Sequence, residues 1–213
     1  MTRITILGGT GYTGSNVALE AASRGHQVTS FSRTSPAAPI EGVTYLTGSI
    51  SEALDGLVEG ADVIVGALAP SGELEAELRE LYATLARMAA ASGKRIGIVG
   101  GWSALRRVPG ATRTAYTSEV PAQFATGARI MAEVIDDLVD SAPEGLDWFY
   151  VSPAASYGSW APGEAKGTYR TSGDVAIVDA EGDSSVSGVD FALAIMDEIE
   201  KPAHSGQQFG VAY

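Results

Sequence analysis

Short apolar runs alternate with stretches whose apolar positions recur every three or four residues, and this alternation fills the first hundred residues. Residues 3–8, RITILG, predict a short buried strand. A helix over about 13–24 follows and closes on Arg24-Gly25, where glycine supplies the left-handed position beyond a helix end. HQVTSFSR and VTYLTG predict the second and third strands. A short helix then runs from Ser51, a residue type suited to the N-cap, to Gly60. ADVIVGALA is apolar throughout, as a strand covered on both faces should be. Leu74, Leu78, Leu81, Leu85 and Met88 lie 4, 3, 4 and 3 positions apart and mark the clearest amphipathic helix. That stripe reads as core rather than as a cofactor contact. It stops near Ser92-Gly93 and leads into a fifth strand, KRIGIVGG.

The second half is less regular. The stretch from Trp102 to Val120 has no period and predicts a long loop. A helix from about Pro121 to Ser141 follows, with the proline suited to a first turn. DWFYVSPA is a sixth strand ended by Pro153, and residues 156–174, rich in Gly, Ser, Tyr and Pro, predict a second irregular excursion. VAIVDA, a helix around 188–200 and QQFGVAY complete the alternation. Parallel strands need crossovers, so this order implies an α/β, Rossmann-like, doubly wound and mainly parallel sheet in three layers. Residues 1–213 are read as one domain. Ligands in such sheets bind beyond the carboxyl ends of the strands, which makes loops at about 101–120 and 154–172 the expected walls of a substrate site.

Composition narrows the partners. The formal net charge of −12, from 26 acids against 14 bases, repels a phosphate backbone and an anionic membrane, so neither nucleic acid nor membrane is expected. A hydrophobic content of 45% is that of a folded globule. The chain has no cysteine, which excludes disulfides, thiolate catalysis and cysteine metal sites. Without a leader pattern at its start, the chain is expected in the cytoplasm. The two histidines, His26 and His204, lack metal-ligand spacing, and Asp179, Glu181 and Asp183 read as a solvated turn because an acidic calcium loop needs a glutamate at its twelfth position. The oligomeric state is left open.

The candidate chemistry begins at ILGGTGYTGSNV. Gly8, Gly11 and Gly14 recur every third residue between a predicted strand and a predicted helix. There Gly8 permits a sharp turn, Gly11 lets backbone approach a pyrophosphate, and Gly14 lets the helix lie close. Thr10 sits within this loop, and the amides of Tyr12 and Thr13 would face phosphate oxygens with the helix dipole behind them. No Gly-Lys-Ser/Thr sequel follows, which argues against a P-loop. An NAD-preferring fold places an acid at the end of the second strand, whereas this chain has Phe31-Ser32-Arg33. Arg33 offers a guanidinium fork to a 2′-phosphate, with the Ser32 hydroxyl beside it, so the expected cofactor is NADP(H). The plain alternative for Arg33 is a solvated loop cation. Small residues close the fourth and fifth strands: Gly66 and Ala67, then Gly100 and Gly101. They are read as room for a cofactor bordered by Ala67, Leu68 and Ala69, with Pro153 completing the set.

ITILGGTGYTG, FSR, GADVIVGALAP, IGIVGGWSAL, DWFYVSPA and EKPAHSGQQFGVAY together resemble the NAD(P)H-binding, NmrA-like branch of atypical short-chain dehydrogenases, which also includes flavin and biliverdin reductases. The resemblance spans nearly the whole chain and implies a Rossmann fold, NADP(H) and oxidoreductase activity on a small-molecule substrate. Relatives usually carry Gly-Asp after the third strand. This chain has Gly48-Ser49-Ile50, so the adenine contacts implied for Ser49 and Ile50 involve no charge.

The reaction is less defined. No tyrosine is followed four residues later by lysine, so the Tyr-x-x-x-Lys pair that passes a proton to a carbonyl is missing, and Phe124-Ala125 stands where relatives often have Tyr-Lys. Ser103 remains as the one catalytic candidate, able to bond a nicotinamide carboxamide or a substrate oxygen, or simply its own backbone. Trp102, Tyr116, Phe124, Tyr157 and Trp160 could form a platform for a flat substrate, or pack the loops down. The sequence therefore supports an NADPH-dependent reductase of a flavin- or quinone-like acceptor. The alternative is a non-catalytic NADP(H)-binding redox sensor of NmrA type.

Overall fold

The computed structural model describes all of residues 1–213. Its first half holds β1 (Arg3–Leu7), α1 (Tyr12–Ser23), β2 (Gln27–Ser32), β3 (Val43–Thr47), α2 (Ile50–Glu59), β4 (Val63–Gly66), α3 (Leu74–Ser92) and β5 (Arg95–Val99). The second half adds α4 (Ala122–Ser141), β6 (Asp147–Ser152), β7 (Arg170–Ser172), α5 (Gly188–Glu200) and β8 (Gln207–Ala212). The eight strands form one sheet in the order β3-β2-β1-β4-β5-β6-β8-β7. All pairings are parallel except β7 with β8, where Ser172 faces Gly210. The order reverses between β1 and β4, paired from Ile4–Val63 to Leu7–Gly66, and a crevice opens there at the carboxyl ends.

Alternation along each strand feeds two cores. On β6, Phe149 and Val151 face α1 and α5, while Trp148 and Tyr150 face α2, α3 and α4. The result is the three-layer Rossmann-like arrangement expected from the sequence. Gly25 (φ +79°) and Gly93 (φ +61°) close α1 and α3 in the left-handed conformation.

Several local readings shift. The N-cap of α2 is Ser49 rather than Ser51, and the two hydroxyls bond each other at 2.8 Å instead of capping the helix. Pro121 occupies the N-cap of α4. Residues 175–180 form no strand; Val175 makes a single bridge to Arg106, and the added edge strand is β7, inside the excursion read as irregular. The stretch 102–120 is likewise ordered by side chains its sequence gives no period for. Arg113 is buried and donates to the Ala104 carbonyl (2.6 Å), Gln208 Oε1 (2.5 Å) and Asp136 Oδ1 (2.7 Å). Arg106 binds the Asp174 carboxylate at 2.7 Å, and its backbone bonds Asp174 and Ala176, which ties the two excursions together.

Candidate functional site

The glycine loop turns immediately after β1. Gly8 takes φ +84°, and a Cβ there would lie 2.5 Å from the Ala67 carbonyl oxygen, so only glycine brings the loop this close to the end of β4. At Gly14 a Cβ would collide with the Gly8 carbonyl, so the start of α1 rests directly on the loop. Gly11, the N-cap, offers no side chain to the helix amides, and the first turn contains no acid. In a chain with this excess of carboxylates, the positive end of α1 is left facing the crevice without an anion of its own.

Two clefts meet above the strand ends. The first, about 480 Å³, is lined by Gly8, Thr10, Gly11, Ser32 and Arg33 on one side and by Ser49, Ile50 and the α3 residues Leu74 and Leu81 on the other. The second, about 670 Å³, is lined by Thr13, Gly100, Gly101, Trp102, Ser103 and the α4 residue Phe124, with Met131, Ala155 and Trp160 beyond. Ala67, Leu68 and Ala69 wall both. The stripe on α3 is therefore not purely core, since Leu74 and Leu81 end it at the first cleft.

Ser32 is fully engaged: its hydroxyl accepts from the Thr10 amide at 3.1 Å and donates to the Phe31 carbonyl at 2.8 Å. It fixes the loop rather than offering a free donor beside Arg33. Arg33 is exposed and is the one arginine of the chain with no carboxylate, carbonyl or aromatic partner. Every other arginine is paired, including Arg129, stacked on Tyr116 at 5.9 Å, and Arg170, bonded to the Tyr213 carbonyl.

Two of the strand-end glycines, Gly66 and Gly100, have a physical reason of their own, whereas a Cβ at Gly101 would meet only the Ser103 hydroxyl at 3.7 Å. At Gly66 a Cβ would meet the Tyr82 ring at 2.5 Å, and at Gly100 it would enter the Tyr150 ring. The missing side chains make room for the buried rings of Tyr82 on α3 and Tyr150 on β6, while Gly100 still lines the second cleft. Both phenols then steady cleft walls: Tyr82 accepts from the Leu68 amide at 3.4 Å, and Tyr150 donates to the Met131 carbonyl at 2.9 Å. Burial pushes both phenols far above the usual tyrosine range, so they are uncharged scaffolding, not acids.

Other nominated residues lie outside the clefts. Gly14 and Pro153 border neither. Tyr116 donates to Asp136 Oδ2 at 2.7 Å, and burial, then that carboxylate, raises its phenol. Tyr12 bonds the Pro162 carbonyl at 3.3 Å, and Tyr157 pairs with the Thr13 hydroxyl at 2.7 Å. Tyr157 stands against Tyr12 and Phe191, with ring centroids 5.4 and 4.8 Å away. The face of α4 from Gln123 to Met131 lines the second cleft alongside the loop before it, and sequence reasoning found only Phe124 there. A signal existed in Gly127, a mid-helix glycine whose Cβ would press on Pro70 at 3.0 Å. Both histidines line neither cleft and are hydrogen-bonded to carboxylates, His26 to Glu200 and His204 to Glu198. Asp179 accepts the amides of Glu181 and Asp183, closing its own turn. No helix is long and apolar enough to cross a membrane.

A parallel sheet whose crevice is closed by a glycine loop and an uncapped helix start defines a dinucleotide-binding Rossmann protein. Residues 8–202 match the family described as NAD(P)H-binding, and the chain belongs to it. YwnB of Bacillus subtilis, itself uncharacterised, is 30% identical over 211 residues, covering 98% of this chain and 97% of its own. Among solved structures, a protein from Burkholderia pseudomallei described as a candidate exported protein is 33% identical, with a TM-score of 0.85 and full coverage of both chains. A candidate epimerase from Bacteroides thetaiotaomicron is 29% identical with a TM-score of 0.87, covering 100% and 97%. A candidate NADH-flavin reductase from Streptococcus pneumoniae, 24% identical over 100% and 99% of the two chains, shares the fold at a TM-score of 0.84. The chain is thus an NAD(P)H-binding protein of Rossmann-like fold.

Proposed function

We propose that this protein is an NADPH-dependent reductase that passes hydride to a small flat acceptor of flavin or quinone type. The observation that carries this reading is the shared wall Ala67–Leu68–Ala69. A dinucleotide laid along the first cleft passes that wall and brings its nicotinamide end to the second. The residues present fit such a cofactor, since the Gly8–Gly14 approach and the open first turn of α1 leave backbone amides for a pyrophosphate. Arg33, unpartnered beside the first cleft, supports the 2′-phosphate form. When bound, NADPH supplies two electrons and one hydrogen; the second proton of the reduction comes from solvent. Ser103 in the second cleft is placed to bond a carboxamide or acceptor oxygen, and Trp102, Phe124 and Trp160 offer flat apolar surface.

Mixing purified protein with NADPH and a panel of quinones and flavins tests the reading. Loss of the reduced-nicotinamide absorbance that depends on both protein and acceptor is expected. Tight, redox-selective NADP(H) binding with no turnover across the panel would instead favour a regulatory cofactor sensor. Equal affinity for NADH and NADPH would remove the choice of cofactor.

A further inference from the structure

Resting on the reading that the second cleft takes the acceptor, we infer that this acceptor is an uncharged flat ring system, and that the cleft discriminates against its phosphorylated forms. Every ionisable side chain lining this cleft is a carboxylate, Glu75 or Glu119. The cation paired with Glu119 is already held. Arg107 lies over the Trp102 ring at 4.7 Å, and its guanidinium contacts Glu119 Oε2 at 2.9 Å. Glu75 has no basic partner. The first cleft also carries two carboxylates, Glu73 and Glu77, but it adds the unpartnered Arg33 and the start of α1. An anion has a counter-charge at the cofactor end and none at the acceptor end.

The aromatic surfaces of Trp102, Phe124 and Trp160 suit a ring of any charge, so selection falls to the carboxylates. A phosphate entering beside Glu75 and Glu119 would lose water, find no cationic side chain lining the cleft and meet like charges, set within a chain of net charge −12. Rejection through repulsion needs no extra contact to the favoured ligand. An isoalloxazine with an uncharged side chain, or a quinone, escapes the penalty, whereas the same ring carrying a 5′-phosphate does not.

Riboflavin and FMN provide the matched pair, since they share one ring and differ by the phosphate. Binding to protein saturated with NADP⁺ is read by quenching of flavin fluorescence, and NADPH oxidation is followed separately with each flavin. Riboflavin is expected to bind about tenfold more tightly than FMN at low ionic strength, with the ratio contracting in high salt as screening grows. Glu119→Gln removes one carboxylate and releases Arg107, and should narrow the ratio severalfold in favour of FMN. Glu75→Gln should move it the same way. FMN binding as tightly as riboflavin, binding of neither flavin, or a ratio unmoved by both substitutions overturns the inference. Discrimination in binding without NADPH oxidation upholds it and defeats the reductase reading instead.

Discussion

The phenolic oxygen of Tyr157 lies 2.7 Å from the hydroxyl of Thr13, joining the excursion after β6 to the first turn of α1. Thr13 also lines the second cleft, so one bond links the acceptor side to the helix whose open end faces the cofactor side. Burial raises the Tyr157 phenol, and the bond to Thr13 opposes that rise only in part. The group therefore stays protonated across the neutral range. Tyr157→Phe keeps the ring against Tyr12 and Phe191 and deletes only the bond, at a cost of about 1 kcal/mol. Amide exchange over residues 156–162 should accelerate while β6 keeps its protection. Unchanged exchange in that segment would show that the bond does not tether it.

Arg33 and Ser32 are neighbours with separable duties. Arg33→Ala should weaken NADPH by about 1.5–3 kcal/mol, the worth of a charge-assisted bond, and leave NADH nearly untouched. Ser32→Ala deletes the bridge between the Thr10 amide and the Phe31 carbonyl, so it should weaken both cofactors alike. Titration of each variant with both nucleotides checks this. A Ser32→Ala variant that lost NADPH selectively would return the serine to the 2′-phosphate role read from the sequence.

What the sequence made legible follows from the kind of signal each part carries. The succession of strands and helices, the two helical layers and the glycine turn arise from local periodicity and from steric demands within a few residues. Gly14 could be read because the Gly8 carbonyl that excludes its side chain lies in the same loop, and Gly8 because its left-handed turn is local, although Ala67 excludes its side chain as well. The meaning of Gly66 and Gly100 was hidden, because the atoms that exclude their side chains belong to Tyr82 and Tyr150, distant in sequence. The segment 102–120 looked shapeless for the same reason, since Arg113 and Arg106 order it through Asp136, Gln208 and Asp174. Part of the second cleft lies on α4, from Gln123 to Met131, where an amphipathic pattern reports the buried stripe and is silent about the face turned to a ligand.

Gly100→Ala tests that reassignment. The added methyl must displace the Tyr150 ring, which is fully buried and bonded to Met131, and overpacking of this kind costs about 1–3 kcal/mol. Urea unfolding should show the loss. Combining Gly100→Ala with Tyr150→Leu should cost less than the sum of the two single changes, because the smaller side chain vacates the space the methyl enters. Strict additivity would mean that the glycine answers to something other than the tyrosine.

Glu198 predicts how the fold responds to acid. It is buried in α5, with Arg95 Nη2 at 2.5 Å, His204 Nδ1 at 2.7 Å and the amides of Ala203 and His204 at 3.1 Å. Burial alone would raise its carboxyl; the His204 and Arg95 side chains and the two amides outweigh it and hold the group below its ordinary 4.5. A folded value below the unfolded one stabilises the protein above about pH 4.5, and that contribution disappears as the pH falls through the folded value. The urea midpoint should therefore fall on acidification below this point. Glu198→Gln leaves buried Arg95 with only the half-exposed Asp147 carboxylate, 3.3 Å from its Nε, which should cost about 1–3 kcal/mol at neutral pH. The same variant should have a shallower acid slope, because one of the groups driving it is gone. The slope should not vanish, since Asp190 is also held low and Asp62 is held at about 2 by Arg3. A variant as stable as the wild type at neutral pH, or one with an unaltered acid slope, would show that the Arg95–Glu198–His204 cluster does not anchor the end of α5.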